Sequence, residues 1–242
     1  MLRNRNPSSR GVTVNDTAMS RGRPERFRGA GWTVGLSADF GTTLVSGNVS
    51  AWVDQSGAGA TRDLSQGTAN NRPLFVVTGL HGYSTVRFDG SNDLMTSSAY
   101  TLAQPLHIFT VMKMVTTQAA PNTSTWATKA AGTGTLYVAS TPSSTLNFGT
   151  GLAYADIVAN GAFARVEALC NGANSTLLEN DTSRASGNAG TNGFDFLTLG
   201  DQPGGANSAN VEYGEFHVFT TALGTSQLAR FRNRTKAKYG LT

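Results

Sequence analysis

The sequence predicts an all-β domain of antiparallel strands, and three observations support this fold class. Short apolar runs alternate with clusters of Gly, Asn, Asp and Ser, as half-buried strands joined by turns do. Charged residues make up only 14% of the chain and Gly numbers 28, so small polar residues must cover much of the surface. At 242 residues the chain is long enough for one large sandwich or barrel to bury a sizeable core.

The first predicted strands lie in residues 32–95. Trp32, Val34, Leu36, Ala38 and Phe40 fall two apart, which predicts one buried face of a first strand. Further strands are predicted at 49–53, 74–77 and 85–88. Trp52 lies within one of these runs, and we expect its side chain in the core.

Two carboxylate-glycine segments predict turns in this region. In Asp54-Gln55-Ser56-Gly57 and in Asp89-Gly90-Ser91-Asn92-Asp93, a carboxylate can accept a hydrogen bond from a backbone N–H two residues on, and glycine tolerates positive φ. Asp89, Asn92 and Asp93 also offer oxygen ligands that suit calcium. We favour the interpretation as a turn and keep calcium as the alternative.

The segment His107–Val115 predicts a central strand. Its two faces are both apolar, which is typical of a strand covered on both sides. We interpret His107, at its start, as a hydrogen-bonded edge histidine rather than a ligand. The following residues, 116–162, are rich in Thr, Ala, Ser and Gly. Modest strands are predicted there at 125–129, 135–139 and 145–148, with long loops at 117–124 and 149–161.

A hairpin follows, with strands at 163–171 and 175–181 closed by Gly172-Ala173-Asn174. Its inner face carries Cys170, which we interpret as a core residue and not as a nucleophile. The remaining members of that face are Ala164, Val166 and Ala168, while Arg165 and Glu167 point the other way. A polar loop then leads to a predicted strand at 194–200.

The last predicted strand, Val211–Phe219, leads to a helix. Thr225 or Ser226 can cap it, and Gly240 ends it. Its apolar stripe carries Leu228, Phe231, Thr235 and Tyr239. Its basic residues are Arg230, Arg232, Arg234, Lys236 and Lys238. We interpret them as a solvated face, with a partner-binding patch as the alternative.

Residues 1–31 form a segment of different composition. Seven arginines face only two acidic residues here, so the excess positive charge of the chain belongs to this arm. The arginines are Arg3, Arg5, Arg10, Arg21, Arg23, Arg26 and Arg28. Arginine suits bidentate pairing with carboxylates or phosphates, so we interpret the extended arm as an anchor for an acidic protein surface. A solvated tail is the alternative. Nucleic acid is disfavoured because stacking aromatics are not interleaved with the arginines.

Several classes of protein are excluded by simple counts. The single cysteine excludes an intrachain disulfide, and no Cys/His spacing suits zinc. No apolar stretch is long enough to span a membrane, and the first residues lack the apolar core of a secretory signal. We therefore expect synthesis in a host cytoplasm and release by another route, such as lysis.

Five strings of the sequence have the character of family motifs: WVDQSG (52–57), RPLF (72–75), VRFDGSND (86–93), GEFHVFTTALGTSQL (214–228) and KYGL (238–241). They resemble motifs of the concanavalin A-like lectin/glucanase superfamily, in its laminin-G-like branch. The resemblance covers residues 32–242 and implies a jelly-roll sandwich of two antiparallel sheets. Such domains occur often in bacteriophage virion proteins.

Relatives of this fold include glycoside hydrolases, whose activity depends on the arrangement of two carboxyl groups. Retaining cleavage needs two carboxyl groups about 5–5.5 Å apart. Glu212 and Glu215 are the nearest acidic pair, and a spacing of three places them on opposite faces unless a bulge at Gly214 realigns them. The resemblance implies a structural role for Glu215, and we predict no enzymatic activity.

Sugar binding needs exposed aromatic side chains close to polar groups. Trp126, Tyr137, Tyr154 and Tyr100 are the candidates. The resemblance and the basic arm together favour a virion structural protein: a capsid decoration, head fibre or tail-associated module that contacts other virion proteins and forms a homo-oligomer in the assembly. A carbohydrate-binding adhesin module is the alternative, and an endo-glycanase is the third interpretation.

Overall fold

The computed structural model describes residues 31–115, 123–129, 134–139, 143–154, 156, 158–202 and 207–241, with backbone alone at 137–139. Residues 1–30 of the arm lie outside this range. The described residues confirm an all-β sandwich followed by one helix. The strands are β1 (Trp32–Ser37), β2 (Thr42–Val45), β3 (Asn48–Trp52), β4 (Leu64–Ser65), β5 (Leu74–Leu80), β6 (Tyr83–Asp89), β7 (Met95–Thr96), β8 (Leu106–Met114), β9 (Thr123–Ala127), β10 (Thr135–Ala139), β11 (Ser143–Asn147), β12 (Gly151–Tyr154), β13 (Ala164–Cys170), β14 (Ser175–Glu179), β15 (Thr182–Gly187), β16 (Thr198–Leu199) and β17 (Asn210–Phe219), and the helix is α1 (Thr225–Tyr239).

The strand pairings define two antiparallel sheets. The first sheet runs β5–β6–β17–β8–β13–β14–β15, and β1 continues the edge of β17 beyond β6. The second sheet runs β2–β3–β4–β7–β16–β9–β10–β11–β12. Among the strands that the structure describes, one β-bridge, between Asn48 of β3 and Leu74 of β5, joins the two sheets.

The core lies between the facing sides of the two sheets. Strand β8 pairs along its length with both β13 and β17 and is buried on both faces, which confirms the predicted central strand. Trp52 and Cys170 are fully buried, as expected. Burial raises the pKa of the Cys170 thiol well above its ordinary value because the thiolate would lie in an apolar core.

Helix α1 covers the outer face of the first sheet. Phe231 packs with Phe109, Phe219 and Leu223 in a second apolar cluster, and each buried ring of this kind contributes about 1.5–3 kcal/mol. Phe231, Thr235 and Tyr239 are buried and Leu228 is half-buried, which confirms the predicted stripe.

The N-terminus of helix α1 differs from the prediction. Gly224, not Thr225 or Ser226, is the N-cap residue, and its N–H donates to Oε1 of Gln227 at 3.1 Å. The side-chain acceptor at this end of the helix is therefore Gln227, the third residue of the helix, and not the hydroxyl of Thr225 or Ser226. Gly240 ends the helix with φ 62°, as predicted.

Two bulges change which side chains share a face. In β1 the register shifts between Trp32 and Val34, so Trp32 joins the helix-side cluster instead of the core face that carries Val34 and Leu36. The predicted alternation is therefore wrong at Trp32. In β17 the register shifts at Gly214, so Glu212 and Glu215 lie opposite Lys113 and Val111, two residues apart on β8. Both glutamates consequently project from the same outer face.

The registers also define one end of the sandwich. Trp32 is opposite Phe219, Phe219 is opposite His107, and His107 is opposite Leu169. This row spans three interstrand spacings, roughly 14 Å. The end of the sandwich that the row marks is called the rim below.

Five strands were not predicted, namely β2, the two-residue strands β4 and β7, β12 and β15. Strand β12 lies inside the expected loop 149–161, and β15 lies in the segment expected as a polar loop after 181. Both are edge strands of small and polar residues, so the apolar alternation that reveals a strand is weak in them.

Candidate functional site

Glu215 is the most deeply buried carboxylate on the outer face of the first sheet. Its side chain accepts from Nζ of Lys238 at 2.6 Å and from Nη2 of Arg234 at 2.9 Å, and it lies 3.2 Å from Nε2 of His217. Burial alone would raise its pKa, but the hydrogen bond with His217 and the charges of Lys238 and Arg234 outweigh it, so the pKa of Glu215 is lowered. The carboxylate is therefore ionised and fully paired.

Glu167 has a matching environment on the neighbouring strand β13. Its oxygens accept from Arg232 at 2.8–2.9 Å and lie 3.0 Å from Nε2 of His107. His107 is buried, and its Nδ1 accepts from the N–H of Leu223, so it is an interior residue and not the edge histidine that the sequence suggested. The pKa of Glu167 is lowered, since these hydrogen bonds outweigh the effect of burial.

Asp181 completes the contacts between helix and sheet. It pairs with Arg165, with Arg232 at 3.1 Å and with Lys236 at 3.0 Å. The prediction of a solvated basic face is therefore wrong for four of the five basic residues of helix α1. Those that pair with carboxylates of the sheet are Arg232, Arg234, Lys236 and Lys238.

Glu212 is also buried and bonded to other protein side chains. Its Oε2 pairs with Nζ of Lys113 at 3.1 Å, and its Oε1 accepts from the hydroxyl of Thr85. The bulge at Gly214 does bring Glu212 and Glu215 to one face, but each carboxylate already has cationic partners and is almost completely buried. A substrate would have to displace helix α1 to reach Glu215.

The aromatic candidates do not form an exposed platform. Trp126 is 1% exposed and packs against Phe148 and Phe216, so the prediction of Trp126 as a sugar-contacting residue is wrong. It lies in β9, whose Thr and Ser residues face buried surroundings and gave no sign of a core strand. Tyr137 lies in β10 with its side chain outside the described part.

The remaining two tyrosines are partly covered. The guanidinium of Arg184 lies over the ring of Tyr154, with 3.2 Å between Nη1 and the hydroxyl oxygen. Arg62 lies over the ring of Tyr100 at 4.7 Å from the centroid. Both rings also pack against the core, so neither presents an open face for stacking on a sugar.

The Asp89–Asp93 segment uses its carboxylates within the turn. Asp89 Oδ1 accepts from the N–H groups of Ser91 and Asn92, and Asp93 Oδ2 accepts from the N–H of Asp89. The bond from Ser91 is the predicted one, with its donor two residues after the carboxylate. Burial and the charge of Asp89 raise the pKa of Asp93 to about 6. Within the described ranges, no group of three His, Cys, Asp or Glu side chains could hold a metal ion.

A shallow polar groove of about 310 Å³ lies at the rim. It is formed by two loops, 148–150 after β11 and 188–192 after β15. Its lining is made of Phe148, Gly149, Thr150, Asn188, Gly190, Thr191 and Asn192. Sequence analysis missed this site because both loops were expected only as polar connections, and the sequence gave no sign that they meet.

Backbone hydrogen bonds hold the two loops together. The N–H of Phe148 donates to the carbonyl of Ala189 at 2.6 Å, and the N–H of Asn192 donates to the carbonyl of Phe148 at 2.9 Å. Gly190 has φ 97°, and a Cβ there would lie 2.2 Å from the carbonyl oxygen of Phe148. Only glycine allows this approach of the two backbones.

Gln104 supports the groove from below. Its Nε2 donates to the carbonyls of Gly190 at 3.0 Å and Asn192 at 2.7 Å, and its Oε1 accepts from the N–H of Gly172 at 2.8 Å. One half-buried amide therefore ties the groove loop to the turn of the β13–β14 hairpin. Hydrogen bonds within the protein therefore hold the loop 188–192 in its conformation.

No family model matches the sequence, and no curated protein matches it. Solved structures do match. The botulinum neurotoxin type G receptor-binding domain is 11% identical, with a TM-score of 0.60 over 85% of this chain and 52% of that one. Domain 4 of AbnA, a GH43 extracellular arabinanase from Geobacillus stearothermophilus, solved with arabinotriose, is 12% identical, with a TM-score of 0.55 over 84% of this chain and 98% of that one.

A Trypanosoma rangeli sialidase solved with sialic acid is 14% identical, with a TM-score of 0.58 over 84% of this chain. The chain spans about a third of the sialidase, 32%, and about half of the neurotoxin domain. The fold shared with these structures is a β-sandwich. At these identities the likeness shows the fold alone. Among the described residues, no helix has the length and apolar character to cross a bilayer.

Proposed function

We propose that the chain is a non-catalytic, lectin-like recognition module that binds glycans through its rim. The observation that carries this proposal is the rim groove, whose lining exposes amide and hydroxyl groups on loops fixed by Gln104. Small-molecule sites are typically concave and preformed in this way. The arabinotriose bound to domain 4 of the arabinanase supports a sugar ligand for a sandwich of this shape.

The state of the carboxylates supports a non-catalytic role. Glycoside hydrolysis needs two carboxyl groups that can reach the scissile bond, one of them protonated. Glu215 has a lowered pKa, is fully buried and is covered by helix α1, and Glu212 is paired with Lys113. Neither carboxyl group is available as a general acid.

A glycan array probed with the full chain tests the binding function. We expect retention of at least one glycan class and no release of reducing ends from it. The absence of binding to every glycan would contradict the recognition function, and turnover that disappears in Glu215→Gln while the variant remains folded would contradict the non-catalytic one.

We further propose that the arm displays this module on a bacteriophage particle, as a laminin-G-like decoration, head fibre or tail-associated protein. The charge division supports this. The arm holds seven of the 19 basic residues and two of the 15 acidic ones, which suits an acidic partner surface. Repeated copies on a particle would compensate for weak single-site binding.

Removal of residues 1–30 tests the display function. The truncated sandwich should remain folded and lose attachment to the particle, as seen by electron microscopy of labelled particles. A matched variant with all seven arginines changed to lysine keeps the charge but removes the bidentate geometry, so it should attach more weakly than the native chain. Full occupancy by the truncated protein would contradict the role of the arm.

A further inference from the structure

We propose that the rim groove selects a neutral saccharide and binds it without a metal ion. This inference rests on the proposed glycan-binding function and specifies the ligand class of the same site. It follows from the chemistry of the lining, which combines neutral amides and hydroxyls with backbone groups.

The first argument is the hydrogen-bonding capacity that the groove leaves unused. Within the described part of the chain, no protein group bonds to the side chains of Asn192, Thr150 or Thr191, and Asn188 uses only its Oδ1, which accepts from the N–H of Gly190 at 2.9 Å. An amide offers donors and an acceptor side by side, and a hydroxyl is both. Neighbouring hydroxyls of a sugar ring are also donor and acceptor at once, so the two sets match.

The second argument is charge. None of the lining residues is an Asp, Glu, Lys, Arg or His. A carboxylated or sulfated sugar would lose part of its hydration in the groove without a cation to replace it, and such a loss is costly for an ion. A neutral sugar has no such loss. Since the lining contains no carboxylate, a calcium ion there would have only neutral amide, hydroxyl and carbonyl oxygens as ligands, which favours binding without a metal ion.

The third argument is size and shape. A volume of about 310 Å³ lies at the lower end of the range of roughly 300–1,000 Å³ for small-molecule sites. The groove therefore suits a short saccharide or the end of a chain. The ring of Phe148 is fully buried and stacks with Phe194, so no aromatic face contributes to binding. Single-site affinity should be weak, which fits a protein displayed in many copies.

Titration by ¹H–¹⁵N NMR of the full chain tests the inference. The probes are neutral disaccharides and anionic sugars, namely N-acetylneuraminic acid and glucuronic acid, each with and without EDTA. We expect the side-chain amide signals of Asn188 and Asn192 to move with neutral probes and the dissociation constant to be unchanged by EDTA.

Variants locate the site. The double variant Asn188→Ala/Asn192→Ala should weaken binding of the neutral probe about tenfold or more, since it removes the hydrogen bonds that both amides offer to the sugar. Asn92→Ala is the matched control, because Asn92 is exposed in the distant Asp89–Asp93 turn, and it should change binding less than twofold. Unchanged thermal unfolding of the double variant shows that it is folded.

Three results would overturn the inference. Preference for the anionic probes, loss of binding with EDTA, or full binding by the double variant would each reject the neutral groove while leaving glycan recognition intact. If no glycan binds to the native chain at all, the proposed function fails together with the inference.

Discussion

Glu215→Gln should destabilise the sandwich far more than an ordinary surface charge removal. The variant keeps the shape of the side chain but leaves Arg234 and Lys238 without their buried carboxylate. Breaking a buried ion pair costs about 3–5 kcal/mol. The two cations are 22% and 13% exposed, so water compensates them in part, and we expect about 3 kcal/mol, the lower end of that range.

A matched control is Asp195→Asn. Asp195 pairs with Lys129 at 2.9 Å, but this pair is 49% and 27% exposed, so its loss should cost about 0–1 kcal/mol. Urea unfolding at pH 7 measures both variants through their midpoints, provided that the slopes are equal. If Glu215→Gln costs no more than Asp195→Asn, helix α1 is not held by this carboxylate.

The pH dependence gives a second check on Glu215. Its folded pKa is lowered below the ordinary value of 4.5 because its hydrogen bond and cations outweigh burial, so its contribution is present above that value and disappears as the pH falls. The difference between the native chain and Glu215→Gln should therefore shrink below about pH 4.5. A constant difference down to low pH would contradict the assignment.

Three further predictions concern other parts of the molecule. Asp93 has a raised pKa of about 6 against an ordinary value of 3.8, because of burial and the charge of Asp89. Its ionisation therefore lowers stability as the pH rises from about 4 to 6, by up to about 3 kcal/mol, and Asp93→Asn should remove this slope in thermal unfolding measured across that range; parallel curves would refute it. Gly190→Ala should destabilise by several kcal/mol because its Cβ would meet the backbone of Phe148, whereas Gly47→Ala, at φ 86° with open space around it, should cost about 1–2 kcal/mol in urea unfolding; equal costs would contradict the close approach. Phe231→Ala should cost about 3–5 kcal/mol by calorimetry, and the exposed Arg230→Ala less than about 0.5 kcal/mol; a small effect at Phe231 would show that the helix-side cluster adds little.

Patterns along the chain predicted the elements that have strong local signals. The central strand β8, the β13–β14 hairpin with its Gly172–Asn174 connection and the apolar stripe of helix α1 were all found as predicted. Each carries apolar residues at the period of its own structure, so the sequence alone was sufficient.

The failures concern partners that are distant in sequence. The lysines and arginines of helix α1 look solvated by their helical positions, but the carboxylates that pair with them are distant in the sequence. Glu167, for example, lies 65 residues before its partner Arg232. Trp126 looked accessible because its strand consists of Thr and Ser, yet it is enclosed by Phe148 and Phe216. The groove was missed for the same reason. Its two loops are distant in the sequence, and the pairing of the strands brings them together.

The rim has a practical consequence for how the protein is handled. Gly31 lies beside Thr220 at the rim. Helix α1 begins near His107, also at the rim, and ends at Tyr239, which lies against Gly214. Gly214 is roughly 17 Å from the rim along β17. A tether at Gly31 would lie at the same end of the sandwich as the groove, whereas a tether at Leu241 would lie at the other end. The point of attachment therefore decides how easily a weak ligand reaches the groove on a sensor surface.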